Sequence, residues 1–170
     1  MTGRRVVRRI VAACTLASVV ATPASLRGQE ISAEKFEVQA IAVIERLFDG
    51  IRAADSAAVR LVWADGVTQF GSSFTSPSAG PTVSYTSKEE FLAAIGGAEV
   101  GAWDERIVVR DVWVNDNLVT VLTPYEFYLN GKLSHCGVDV FLIALTGDGW
   151  KIVSLVDTRR RAGCEGWLND

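Results

Sequence analysis

Six polar side chains in the last third of this 170-residue chain carry most of the chemistry open to it: Glu126, Tyr128, His135, Asp139, Asp157 and Arg159. His135 is the sole histidine, and imidazole is the side chain whose ordinary pKa lies near neutrality. Carboxyls crowded into a partly apolar site are driven to different pKa values. This set suits general acid–base work: Glu126 orients His135, and Tyr128 donates to a developing oxyanion. The matching reactions are proton abstraction beside a carbonyl, dehydration, or cyclisation of a small molecule. Other readings stay open on the same residues. They can form a buried network that only satisfies itself. They can form a pocket that binds without reacting, with His135, Asp139 and Glu126 at its polar end and Tyr128, Asp157 and Arg159 beside them. Trp63 and Trp113 are candidates for lining such a pocket, against an ordinary place in an aromatic core.

Whether these groups meet depends on hairpins. Four strand-like runs, Trp103–Val114, Asn117–Leu129, Lys132–Thr146 and Trp150–Arg160, are joined at Asn115-Asp116, Asn130-Gly131 and Gly147-Asp148-Gly149. Asn-Gly and Asp-Gly pairs favour tight turns, because such turns need positive φ. A two-residue turn at Asn130-Gly131 pairs Leu129 with Lys132. It sets Glu126 opposite His135 and Tyr125 opposite Cys136. A three-residue turn at Gly147 to Gly149 pairs Thr146 with Trp150. It sets Asp139 opposite Asp157 and Gly137 opposite Arg159. Side chains alternate along a strand, so the six polar groups are expected on one face. Val138, Val140, Leu142, Ile152 and Val156 are expected on the other. A slip of one residue in either hairpin undoes this.

Helical segments precede the meander. Phe36, Ala40, Val43, Ile44, Leu47, Phe48 and Ile51 recur at helical spacing within 32–52. Asp55 or Ser56 caps a second helix reaching about Ala64 and closed by Gly66. Strands follow at 67–75 and 82–86, separated by a Pro/Gly/Ser loop. Ser87-Lys88-Glu89-Glu90 is a capping box that opens a third helix ending at Gly96-Gly97. The order α-α-β-β-α-β-β-β-β predicts an α+β roll, with three helices packed on a strongly bent, mainly antiparallel sheet.

The N-terminus reads as a secretory signal. Arg4, Arg5, Arg8 and Arg9 precede a short apolar run, with small residues at Ala21 and Ala24. Cleavage near Ala21 or Ala24 would give a signal over 1–24, a disordered tail over 25–31, one domain over 32–164 and a C-terminal tail over 165–170. Sec and twin-arginine export both remain open. An exported, periplasmic or extracellular protein without a stable membrane anchor is expected. In that setting Cys136 and Cys164 can pair or stay as buried thiols. Net charge is −3, and removal of the leader makes the domain more acidic, which argues against nucleic acid as partner. One histidine and no Cys-x-x-Cys leave little basis for a metal. No P-loop, Gly-x-Gly-x-x-Gly or Gly-x-Ser-x-Gly is present, and no cofactor is expected.

Several stretches resemble the nuclear transport factor 2-like superfamily, which includes SnoaL-like, ketosteroid-isomerase-like and putative lumazine-binding-like proteins. They are Phe48–Ser56, Trp103–Arg106, Tyr125–Tyr128, Gly131–Asp139, Gly149–Ile152 and Asp157–Arg160. The resemblance implies a cone with a cavity between the concave sheet face and the helices. It also implies dimerisation through the sheet. The superfamily hosts isomerases, dehydratases and plain binding modules, so it does not choose an activity. The leading expectation is a pocket for a small, apolar or partly polar ligand. The alternatives are a cofactor-free lyase or isomerase and a protein-interaction module using the open sheet face.

Overall fold

The computed structural model describes residues 24–67, 69–76 and 80–169, with side chains described from residue 33 onward except at 69, 75 and 76. The signal assigned to 1–24 falls almost wholly outside them. Helix α1 runs Ala24–Arg52 and α2 Ser56–Val62. Strands β1 (Gln69–Ser76) and β2 (Gly80–Ser87) lead into α3 (Lys88–Gly96). Then come β3 (Trp103–Ile107), β4 (Asp111–Asn115), β5 (Leu118–Leu129), β6 (Lys132–Thr146) and β7 (Gly149–Arg159). The sheet order is β2-β1-β7-β6-β5-β3, with β4 also on β5, and only the β1–β7 pair is parallel. It is an α+β fold with a large, open, mainly antiparallel sheet.

Local rules account for most of the elements. The Asp55 side chain accepts from Ala58 N at 2.9 Å and starts α2. Ser87 and Glu90 make both halves of a capping box, at 3.2 and 3.1 Å. Asn130 and Gly131 both take positive φ, as a tight β5–β6 turn demands. The helical stripe on α1 is buried at Ala40, Val43, Ile44, Leu47, Phe48 and Ile51, and it packs with Val119, Val121, Phe141, Ile143, Trp150 and Ile152 of the sheet.

Four expectations are corrected. Helix α1 begins at Ala24, so residues 25–31 are helical rather than tail. Helix α2 ends at Val62, before Gly66, because Trp63 is already extended and bridges to Ile152. The run Trp103–Val114 is two strands. Between the pairs Ile107–Tyr125 and Asp111–Leu122, β5 advances three residues while its partner advances four. Pro124 lies at this break. It accepts from Val108 N at 3.0 Å and has no N–H to return. The β6–β7 turn has two residues, since Thr146 pairs with Gly149.

That last difference cancels itself. Leu142 pairs with Ser154 and Ile143 with Ile152, so Val153 is an extra, bulged residue. Beyond the bulge Asp139 faces Asp157, as the three-residue turn would have placed it. Before the bulge the faces are exchanged, and Ile152 lies in the core. The β5–β6 hairpin behaves in the opposite way. Its turn pairs Leu129 with Lys132 as expected, but Ser134 bulges, so His135 faces Phe127 and Glu126 faces Cys136.

Gly137 and the C-terminal residues bind the far end of β6. A methyl on Gly137 would lie 1.8 Å from Thr158 O, so only glycine permits this approach. Cys136 and Cys164 form a disulfide. Trp167 Nε1 donates to Gly137 O at 2.8 Å, and the Arg160 guanidinium lies 3.8 Å from the Trp167 ring centroid. The outer sheet face leaves Val83, Tyr85, Trp113, Val140 and Val156 exposed.

Candidate functional site

The inner sheet face changes character along β5 and β6. Val119 and Val121 give way to Thr123, Tyr125 and Phe127, and Phe141 and Ile143 give way to Asp139, Gly137 and His135. Alternation brings Glu105 of β3 to the same face, between Trp103 and Ile107, both partly buried against the core. Asp157 and Arg159 join from β7. Thr123, Asp139, Asp157 and His135 are all at least nine-tenths buried.

Glu105 and Asp139 hydrogen-bond carboxyl to carboxyl, which requires one of them to carry a proton. Thr123 Oγ1 donates to Asp139 Oδ2 at 3.3 Å. Asp157 Oδ2 takes Arg159 at 2.9 Å and the Tyr125 hydroxyl at 3.3 Å; that hydroxyl also lies 3.0 Å from Thr158 O. Asp157 Oδ1 and Arg159 Nε are buried without a hydrogen-bond partner. Burial, with the Asp157 charge adding to it, pushes the Glu105 carboxyl up to about 7. Asp139 is pushed well above the carboxylate range by burial and then by the Glu105 and Asp157 charges. Burial also raises the Tyr125 hydroxyl. His135 is lowered to about 4 by burial and then by the Arg159 charge, so its imidazole is neutral at pH 7.

A pocket of about 650 Å³ opens over this cluster between α3 and the sheet. Its walls include Phe70, Phe91, Trp103 and Phe127, and its polar groups are Glu90, Glu105, His135 and Arg159. The rings form an unbroken series. Phe70–Phe91, Phe91–Trp103, Trp103–Phe127 and Phe127–His135 have centroids 4.9, 6.5, 6.0 and 4.8 Å apart. A second, shallower groove of about 660 Å³ borders Asp49, Leu61 and Lys151 and includes none of the buried polar cluster. Among the described residues, no group of three or more His, Cys, Asp or Glu side chains is arranged to hold a metal ion.

The expected site residues part company here. His135, Asp139, Asp157 and Arg159 share the inner face. Asp139 lies four residues from His135 along β6, about 13 Å at strand rise, and the His135 ring meets Ser134 Oγ at 3.1 Å rather than a carboxylate. Glu126 and Tyr128 are on the outer face. Tyr128 donates to Glu126 Oε2 at 2.8 Å, and Arg106 lies 4.0 Å from the Tyr128 ring centroid. The bulge at Ser134 is the reason, because it moves His135 one step relative to β5. Trp113 is 59% exposed on the outer face. Trp63 is buried in the core, stacked 5.9 Å from Phe70, outside the pocket lining. Sequence reasoning missed Glu105, Thr123 and Tyr125. The signal was present: each alternates with residues that must face the core.

No protein-family profile and no functionally curated protein matches this sequence. Solved structures do match. An NTF2-like protein with a cystatin-like fold from Novosphingobium aromaticivorans superposes with a TM-score of 0.57, at 12% identity, over 86% of this chain and 97% of its own. An NTF-2 like protein of unknown function from Silicibacter pomeroyi gives 0.54 at 16% identity, over 79% and 98%. An NTF2-like protein of unknown function from Shewanella baltica gives 0.52 at 11%, over 82% and 98%. At these identities the likeness concerns architecture. The chain has the nuclear transport factor 2-like, cystatin-like fold.

Proposed function

We propose that this domain binds a small, flat, partly apolar molecule in the pocket between α3 and the sheet. The observation that carries the reading is the join of an aromatic wall to buried polar groups. Phe70, Phe91, Trp103 and Phe127 offer ring faces, and Glu105, His135 and Arg159 stand at the inner end. Specific small-molecule sites combine apolar walls with a few placed polar groups, at volumes like this one. Native mass spectrometry of the purified protein tests it. The wild type should retain a small-molecule mass that Ala94→Trp, which fills the pocket mouth, does not. Identical bare spectra, with added aromatic fragments binding neither protein, would overturn the reading.

A second reading, acid–base catalysis by a cofactor-free lyase or isomerase, is favoured by one group. Glu105 borders the pocket and titrates near 7, where a carboxyl exchanges protons in either direction. His135, neutral and remote from Asp139, serves better as a hydrogen-bonding wall. We infer a location outside the cytoplasm, a reading supported by the Cys136–Cys164 bridge and by the signal expected from the sequence of residues 1–24. The exposed Val83, Tyr85, Trp113 and Val156 support self-association through the outer sheet face. Sedimentation velocity at several concentrations checks that part.

A further inference from the structure

We infer that a hollow beside Trp167, on the outer sheet face, is a second binding site and takes a phosphate or sulfate monoester. It lies apart from the pocket under α3, and Arg159 is the one residue that borders both. The hollow has a volume of about 300 Å³, and its walls include Ser73, Val138, Thr158, Arg159, Arg160 and Trp167. Strand pairing sets Ser73 beside Thr158 and bridges Cys136 to Arg160. Alternation then puts Ser73, Val138, Thr158 and Arg160 on the outer face. Two arginines border the hollow and no carboxylate does.

Arg160 is held in place by neutral groups. Its Nε donates to Cys136 Sγ at 3.3 Å and its Nη2 to Gly163 O at 3.4 Å, and the guanidinium lies 3.8 Å from the Trp167 ring centroid. None of the ion pairs among the described residues includes Arg160. Two carboxyls on neighbouring strand positions are already engaged: Asp157 with Arg159 at 2.9 Å, and Glu126 with the Tyr128 hydroxyl at 2.8 Å. Arg161, next in the chain, is exposed and adds positive charge. A cation ordered by neutral partners meets an anion with its full charge and with little side-chain entropy left to lose. Hydroxyl donors come from the sheet itself. Thr158 Oγ1 accepts from Val138 N at 3.0 Å, which leaves its own hydrogen to donate, and Ser73 stands beside it. Donors from both a strand end and the sheet surface suit a tetrahedral head group with oxygens on several sides, more than a planar carboxylate. The volume is at the lower end of small-molecule sites, with room for the group that carries the ester.

Four probes on one carrier test it: glucose 6-phosphate, glucose 6-sulfate, glucuronate and glucose, titrated calorimetrically at pH 7.5. The sugar is too polar for the aromatic pocket under α3. At least one ester should bind about tenfold or more tightly than glucose, with glucuronate weaker than that ester. Arg160→Gln should weaken the ester by at least about tenfold. Ser73→Glu sets a carboxylate in the hollow, leaves Arg160 and its three contacts in place, and should weaken the ester as much. It keeps the test valid if Arg160→Gln fails to fold. Arg161→Gln, outside the hollow, should stay within about twofold of wild type. Esters bound no more tightly than glucose, or glucuronate bound tightest, would overturn the assignment. So would ester binding that survives Ser73→Glu, or an Arg161→Gln loss equal to that of Arg160→Gln, which would mark diffuse charge instead of a site.

Discussion

Glu105 and His135, shifted in opposite directions, should give this protein opposing pH slopes of stability that single substitutions separate. Glu105 is raised from 4.5 to about 7, so the folded state holds its proton more tightly than the unfolded chain does. Stability from Glu105 is fully present below about pH 4.5 and is lost as pH rises through about 7. His135 is lowered from 6.5 to about 4. Its contribution is present above about pH 6.5 and is lost as pH falls through about 4. At about 1.36 kcal/mol per pKa unit, each shift corresponds to roughly 3 kcal/mol, of opposite slope over nearly the same window. In the wild type these two oppose each other, and Asp139, raised well above the carboxylate range, tilts the profile downward toward higher pH. Single substitutions should expose the hidden slopes. Measured against the wild type, Glu105→Gln should gain roughly 2–3 kcal/mol as pH rises from about 4.5 to 7, and His135→Asn should lose about as much as pH rises from about 4 to 6.5. Urea unfolding followed by tryptophan fluorescence at half-unit pH steps measures both. If Glu105→Gln and His135→Asn track the wild-type profile in parallel, the two groups do not hold their protons as described, and the reasoning fails.

Gly137→Ala should destabilise by about 3 kcal/mol or more, since its methyl would lie 1.8 Å from Thr158 O and 2.9 Å from the Tyr125 ring; denaturant unfolding reads the loss directly. Reducing the Cys136–Cys164 bridge, which spans 28 residues, should cost about 3.5 kcal/mol on loop entropy, seen as a drop in Tm with dithiothreitol. Ser87→Ala removes the α3 cap and should cost about 1 kcal/mol. Glu126→Gln, on the outer face with Tyr128, should leave fragment binding at the pocket unchanged within error in calorimetry, whereas Glu105→Gln alters it.

The fold was readable because its signals are local. The Ser87–Glu90 capping box, the Asn130-Gly131 turn and the apolar stripe on α1 each follow from neighbours a few residues apart. The site depends on strand register, and register was decided by bulges that leave no local mark. Ser134 and Val153 are ordinary strand residues, yet each inserts one extra position. At Val153 the insertion offset a turn shorter than expected, and Asp139 met Asp157 for the wrong reason. At Ser134 nothing offset it, and Glu126 and Tyr128 fell on the outer face. Glu105 stands between the charged Asp104 and Arg106, so nothing beside it marks it for the inner face. Those two do pair, at 2.9 Å, and they do so because alternation sends Glu105 the other way.

The account rests most heavily on the pocket beneath α3, and its tryptophan offers the most direct test. The chain has five tryptophans, of which Trp103 borders this pocket. In an NMR screen of aromatic fragments against ¹⁵N-labelled protein, binding compounds should move the Trp103 indole signal while those of Trp113 and Trp167 stay in place. If no fragment moves Trp103, or if fragments move Trp113 instead, the pocket is not the binding site and the functional account is contradicted.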